Sequence, residues 1–352
     1  MQINIDVEKL QNLLNEAVAA GEEADCQLAI YKSGKPVVDI CVGEKTQSNT
    51  LFPIFSVGKG VTATLALMLY EAGLLDFDAP VVEYWREFAR NGKEKVKVWH
   101  IFSHRAGLWE MPLLKNYEEL GDWQAMIKYM EDAVFQAEPG GKCRYHGYTF
   151  GWLAGEVIAR AGKKSFNELL REKITEPLQI SRELFFGTDA EAETRLALPV
   201  VSRFADFTDG RNIFTNNPAI RSGCIPSANG FASARAIAKV YSALSGNGVD
   251  GIRLLKDETI KYATQSRRAD FDPLPNDLGA WAHFGLGYAL AGYPENPGAI
   301  FGHGGAMGAE GLAIPELEVG MSFTKNKFNT THPIHPLRNR ISEALNIKVR
   351  NW

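Results

Sequence analysis

The chain has 352 residues, enough to bury a full hydrophobic core in one large domain or two closely joined ones, and its 45% hydrophobic and 23% charged residues are ordinary for a globular protein. Its 38 basic and 42 acidic residues give a net charge of −4 with no long run of one sign, which gives no support for binding nucleic acid or an anionic membrane. The start Met1-Gln2-Ile3-Asn4-Ile5-Asp6 lacks a basic-then-apolar leader, and no stretch approaches the ~18 uninterrupted apolar residues of a membrane span, so a cytoplasmic protein is expected.

Val7, Leu10, Leu14 and Val18 recur at helical spacing and predict an amphipathic helix over residues 6–20. Gln27–Tyr31 and Val37–Val42 are β-rich runs around Lys32-Ser33-Gly34-Lys35, a hairpin signal. From Val57 to about Ala72 the chain is apolar on most faces, which predicts a helix buried between layers and stopped at Gly73. Further helices are expected over Val98–Ser103, Asp122–Gln136, Phe150–Ala161, Ser165–Ile174 and Ala232–Ser245, with Thr188–Ile225 as loop. Phe284–Leu290, Ala299–Gly302, Glu310–Ile314 and Val319–Thr324 read as strands, with a turn at Pro315-Glu316 and a closing helix over about Pro336–Leu345. Strands at both ends with helices between imply one sheet built from the two termini.

Cys26, Cys41, Cys143 and Cys224 have no metal-ligand spacing and read as reduced, mostly buried residues. Cys26 and Cys41 fall on adjacent predicted strands, where a disulfide would be conceivable. His100 and His104 lie four apart, but no Glu sits between them in a His-Glu-x-x-His pattern and no third ligand is evident, so no metal site is expected.

The chemistry centres on Phe55-Ser56-Val57-Gly58-Lys59-Gly60. Ser56 and Lys59 stand one helical turn apart, which sets a hydroxyl and an amine side by side. An ammonium desolvated on a buried helix loses part of its pKa and can take the serine's proton. By itself the pair is better read as a helix cap and a solvated lysine, since Ser and Lys three apart occur by chance in most chains of this length. Two more stretches have compositions that core packing does not demand: Cys143-Arg144-Tyr145-His146-Gly147-Tyr148, after the break Pro139-Gly140-Gly141, and Gly302-His303-Gly304-Gly305-Ala306-Met307-Gly308, between two predicted strands.

In order, Ser56-x-x-Lys59, a loop centred on Tyr145 and a His303-Gly304-Gly305 strand resemble the serine β-lactamase and penicillin-binding-protein superfamily, most closely its class C β-lactamase-related esterases, the family VIII carboxylesterases. Flanking text agrees over about residues 25–330, including Ser103-His104-Arg105-Ala106-Gly107-Leu108, Gly151-Trp152-Leu153 and Pro226-Ser227-Ala228-Asn229-Gly230. The resemblance implies that Ser56 is the nucleophile of an acyl-enzyme and that Lys59 accepts its proton or holds the local field. It implies that Tyr145 is a phenolate general base that later protonates the leaving group, and that the backbone amides of Ser56 and Ala306 form the oxyanion hole. His303, Gly304 and Gly305 would line the substrate, with Trp109 and Tyr148 near the site; Trp152, Trp281 and Phe284 are further aromatic residues that are more often core. Neither metal nor cofactor is implied.

Two departures set the chemistry apart. The tyrosine motif of such β-lactamases ends in Asn, which binds the side-chain amide of a β-lactam, and Gly147 stands there. The third motif usually opens with a Lys that faces the β-lactam carboxylate, and His303 stands there. Both changes suit a neutral ester.

The expected fold is therefore α+β and β-lactamase/transpeptidase-like. An antiparallel sheet flanked by helices (residues 1–74 with 231–352) would pack on a mainly helical domain (75–230), with Ser56 in the cleft between them. The expected function is hydrolysis of a small-molecule carboxylic ester. A D-amino-acid peptidase or amidase, a β-lactamase or an acyltransferase would use the same groups, and a non-catalytic binding protein on this fold would be expected to have lost Lys59 or Tyr145.

Overall fold

Asp6 accepts a hydrogen bond from the Lys9 amide and starts helix α1 (Val7–Ala19), which buries Leu10, Leu14 and Ala17 along one face. The computed structural model describes residues 2–201, 215–269, 272, 283–328 and 336–347. After α1 come β1 (Cys26–Lys32) and β2 (Lys35–Val42), joined by a turn in which Ser33 and Gly34 both have positive φ, the conformation that matches strand twist in a two-residue hairpin.

The C-terminal part completes this sheet. Strands β7 (Ala289–Leu290), β8 (Phe301–Gly304), β9 (Glu310–Ile314) and β10 (Val319–Lys325) give the order β2-β1-β10-β9-β8-β7, antiparallel throughout. Alternation along β1 explains how both faces are buried. Leu28 and Ile30 join the α1 side with Met321 and Phe323 of β10 and with Leu337 and Ile341 of the closing helix α11 (Pro336–Ala344). Ala29 and Tyr31 face the opposite core, with helix α2 (Val57–Glu71) and helix α9 (Ala234–Ser242). Small residues on that face let α9 come close: a Cβ on Gly320 would stand 2.1 Å from the Ser242 amide nitrogen.

Helix α2 is apolar on nearly all sides and lies between the sheet and helix α5 (Thr149–Gly162), as its pattern predicts. Around it run α3 (Val98–Phe102), α4 (Trp123–Asp132), α6 (Phe166–Leu170), α7 (Ala190–Glu193), α8 (Pro218–Ser222) and α10 (Asp257–Ala263). A second sheet joins β3 (Phe52–Pro53), β6 (Gly230–Ala232) and β4 (Leu184–Phe186), and β5 (Val200–Val201) pairs in parallel with β11 (Lys327–Phe328). Among the described residues no helix is long and apolar enough to cross a membrane.

The differences from the sequence reading have local causes. The helix expected to reach Gln136 stops at Asp132, because Ala133 turns to extended backbone and buried Lys93 donates to the Glu131 and Ala133 carbonyls. The helix expected from Ala232 begins only after Ser233, whose hydroxyl accepts from the Ala236 amide, and Ala232 instead ends a strand over 230–232. Only Ala289–Leu290 of the expected 284–290 strand pairs in the main sheet, since Gly287 turns through positive φ; the strand expected over 299–302 runs instead from Phe301 to Gly304. Within 188–225, expected as loop, α7 and α8 form on the caps Asp189 and Asn217, too short to show a period. Residues 202–214 of that stretch, and Trp281, lie outside the described residues. All four cysteines are free. Cys41 lies opposite Gln27 in the ladder, so Cys26 and Cys41 point to opposite faces of the sheet and cannot be bridged.

Candidate active site

Phe55, directly before α2, has φ +46°, a strained value for a bulky residue and one held here by burial against Met307 and Phe328. The bend leaves Ser56 as the one half-buried residue in the otherwise buried stretch Leu51–Leu67. Ser56 occupies the N-cap of α2, yet its side chain makes no capping bond. Its Oγ instead accepts from Lys59 Nζ at 3.0 Å and from the Tyr145 hydroxyl at 2.8 Å. A helix cap does not account for that arrangement.

Lys59 is fully buried, and its Nζ also donates to the carbonyls of Gly147 (2.7 Å) and Ser227 (2.9 Å). No carboxylate is among these partners. Burial therefore holds its pKa well below the ordinary lysine value. The Nζ stands 4.8 Å from the centre of the Tyr145 ring. For Tyr145, burial pushes the pKa up and the hydrogen bond to Ser56 opposes it only in part. The expectation of a phenolate Tyr145 required the opposite direction. It assumed a charged Lys59 next to the phenol, whereas the burial that lowers the Lys59 pKa also disfavours the phenolate.

The loop carrying Tyr145 is pinned on two sides. His146 Nε2 accepts from the Leu108 amide, so its Nδ1 carries the proton and donates to the Arg144 carbonyl at 2.7 Å. The Arg144 amide donates to the His104 carbonyl, and His104 Nδ1 accepts from the His146 amide. Burial keeps His146 neutral, with a pKa near 4, and lowers that of His104 well below the usual value. On the other side the buried Arg105 guanidinium forms an ion pair with Asp272 and donates to the Gly141 carbonyl at 2.5 Å, while Asp272 accepts from the Cys143 amide at 3.1 Å. Residues 141–146 are thus held by Arg105, Asp272 and His104.

His303 lies in β8, fully buried, with Nδ1 bonded to the Gly304 carbonyl at 2.7 Å and its ring 6.1 Å from that of Tyr145. Burial drives its pKa to about 3, so the ring is neutral. Gly305 follows, and a Cβ there would stand 2.5 Å from the Ile54 carbonyl oxygen, two residues before Ser56. Only glycine lets the strand end approach α2 this closely. Ala306 is exposed in the turn beyond.

Trp109 and Tyr148 are half-buried. Trp109 meets the His146 ring edge-on at 6.1 Å and carries the Arg144 guanidinium over its face at 4.7 Å; the Tyr148 carbonyl accepts from Ser227 Oγ at 3.0 Å. Of the other aromatic candidates, Phe284 stacks on Tyr145 at 6.0 Å, and Trp152 is core. The reading of side chains missed the carbonyls of Gly147 and Ser227 and the Arg105–Asp272 pair. The Ser103–Leu108 and Pro226–Gly230 stretches were the available signals.

Comparison with known proteins agrees in sequence and shape. A protein-family model described as Beta-lactamase matches residues 10–345. The chain is 33% identical over 339 residues to "Esterase/beta-lactamase LipL" of Mycobacterium tuberculosis, covering 85% of this chain and 76% of that protein. A solved family VIII carboxylesterase superposes with a TM-score of 0.86 at 28% identity, over 98% of this chain and 99% of the other. A penicillin-binding protein homologue from Caulobacter crescentus does so with a TM-score of 0.80 at 28% identity and the same coverage. The fold is that of the β-lactamases and transpeptidases.

Proposed function

This chain belongs to the beta-lactamase family, and from that premise we propose that it is an esterase that cleaves carboxylic esters through an acyl-enzyme on Ser56. That it is a serine hydrolase follows from its relatives. The observation that carries the finer reading is the convergence of Lys59 Nζ and the Tyr145 hydroxyl on Ser56 Oγ, at 3.0 and 2.8 Å. The name of the mycobacterial relative and the solved carboxylesterase support ester chemistry.

The proton inventory suggests the order of events. The Gly147 and Ser227 carbonyls can only accept, so when Lys59 loses the proton it points at Ser56, its other two stay on those carbonyls and its lone pair turns to Ser56. Ser56 Oγ attacks the ester carbonyl carbon and its proton passes to Lys59. The developing oxyanion is held by the backbone amides of Ser56 and Ala306, a type of contact worth about 3 kcal/mol per donor. Collapse breaks the bond to the alkoxide, which takes the Tyr145 proton, and Tyr145 recovers a proton from Lys59. Water repeats the sequence on the acyl-enzyme and releases the acid.

A neutral His303 favours an ester over a β-lactam or a peptide with a free carboxylate. With a pKa of about 3 it offers no positive charge to a substrate carboxylate. The test is hydrolysis of short-chain p-nitrophenyl esters. The wild type should turn them over, and Ser56→Ala should lose at least about a thousandfold in kcat. Hydrolysis that survives the substitution overturns the reading.

A further inference from the structure

The two amides assigned to the oxyanion come from separate elements, Ser56 at the start of α2 and Ala306 in the turn beyond β8. Each has a buried apolar neighbour: Phe55 directly before Ser56, and Met307 directly after Ala306. Among the described residues these two side chains form a small apolar cluster with Phe328, apart from the two large cores. Phe55 holds φ +46°, a conformation that glycine takes without strain and a bulky residue does not. A phenylalanine kept there at that cost has a task for its ring. The facing turn is tight as well. The Gly305 amide donates to the Ala309 carbonyl at 2.7 Å, the Gly308 amide donates to the Gly305 carbonyl at 2.8 Å, and Gly308 has φ +95°.

Phe328 is the one member of the cluster that belongs to neither segment. It lies in β11, which pairs with β5, and the Val200 amide donates to the Asn326 carbonyl at 2.8 Å. The Asn326 side chain in turn accepts from the Asp25 amide at 3.0 Å and donates to the Asp25 carboxylate at 2.9 Å. The backbone that presents the Phe328 ring is thus fixed independently of both amides.

Resting on the acyl-enzyme reading above, we infer that Phe328 is a positioning residue of the oxyanion hole: by closing the cluster with Phe55 and Met307, it keeps the Ser56 and Ala306 amides at the separation that receives the developing charge. It acts through those two neighbours. Amide donors stabilise an oxyanion only when set in advance at hydrogen-bond distance from it, so a small widening is felt in the transition state and hardly in substrate binding.

The experiment takes Phe328→Leu, Phe328→Val and Phe328→Ala through p-nitrophenyl acetate and its thionoacetate analogue, in which sulfur replaces the carbonyl oxygen. Sulfur is the larger and weaker acceptor and draws less from the amides, while the same Ser56, Lys59 and Tyr145 act on both esters. Damage to the hole therefore lowers the oxygen ester selectively, whereas general damage to the site lowers both. The oxygen-to-sulfur ratio of kcat/KM should fall in the order Leu, Val, Ala, by about threefold in the first and about tenfold or more in the last, with the loss in kcat and KM within about threefold of wild type. Melting curves show which variants are folded, and the mildest, Phe328→Leu, carries the comparison if the smaller side chains unfold the chain. A ratio within about twofold of wild type in every folded variant overturns the inference, as does a wild type that cleaves both esters equally well. A wild type that cleaves no ester, or whose hydrolysis survives Ser56→Ala, defeats the proposed function itself, whereas an active, Ser56-dependent wild type with unmoved variant ratios defeats only the assignment of Phe328.

Discussion

Lys59 and Tyr145 sit in one buried pocket and are moved in opposite directions by the same cause. Burial lowers the lysine and raises the tyrosine, so it favours the neutral form of both. In the proposed mechanism Lys59 acts deprotonated, so kcat/KM should rise with pH through its lowered pKa and reach a plateau. Tyr145 acts protonated in that mechanism, and because its pKa is raised the plateau should persist to at least about pH 10. The pH profile of kcat/KM checks both limbs, and an optimum that collapses between neutrality and pH 10 would favour a phenolate base. Lys59→Arg puts a permanently charged guanidinium in place of the amine. It should lower kcat/KM by about 10²–10⁴-fold, as removal of a proton-transfer group does. Single-turnover acylation rates would locate the loss in the first step.

Elements, more than single side chains, set the distances. The Tyr145 loop is tied to Arg105 through Asp272, residues far apart in sequence and joined by a pair that is almost fully buried. Asp272→Asn leaves the guanidinium without its counter-charge and should cost about 3 kcal/mol of stability, with a fall in kcat larger than any change in KM because Tyr145 is displaced. Urea denaturation together with steady-state kinetics measures both. Burial tends to raise the Asp272 pKa, but Arg105 and the Ala269 and Cys143 amides outweigh it and hold the carboxyl below its usual range. Its folded pKa is thus depressed. The stabilisation it gives is present above the unfolded value of about 4 and is lost as pH falls through the lower folded value. The difference in urea midpoint between wild type and Asp272→Asn should accordingly shrink only in acid. On the facing element, Gly305→Ala would push a methyl into the Ile54 carbonyl and force β8 away from α2. Activity should drop more than stability, as a melting curve beside a kcat measurement would reveal.

Across the molecule, what the sequence disclosed followed from side-chain identity. Ser56, Lys59, Tyr145 and His303 could be named because hydroxyl, amine, phenol and imidazole stood in a recognisable order, and the sheet could be assembled because its strands alternate or run apolar. Backbone roles left no such trace: the Gly147 and Ser227 carbonyls that orient Lys59 belong to residues with no telling side chain. Two- and three-residue strands such as β3 and β6 are shorter than any period and arise only from pairing with distant chain. The direction of the Tyr145 pKa could not be read from sequence for a related reason, since burial is a property of the assembled molecule. Two ends of the chain meet in one sheet, and α2 carries Ser56 across its face to the Tyr145 loop and the end of β8.

The central claim is that Ser56 carries the acyl group during turnover. Rapid-quench mass spectrometry of the protein mixed with p-nitrophenyl butyrate, followed by peptide mapping, tests it directly. The account predicts a butyryl increment on the peptide containing Ser56, formed before steady state and absent from Ser56→Ala. Ester turnover with no increment on that peptide, or with the increment on another residue, would contradict it.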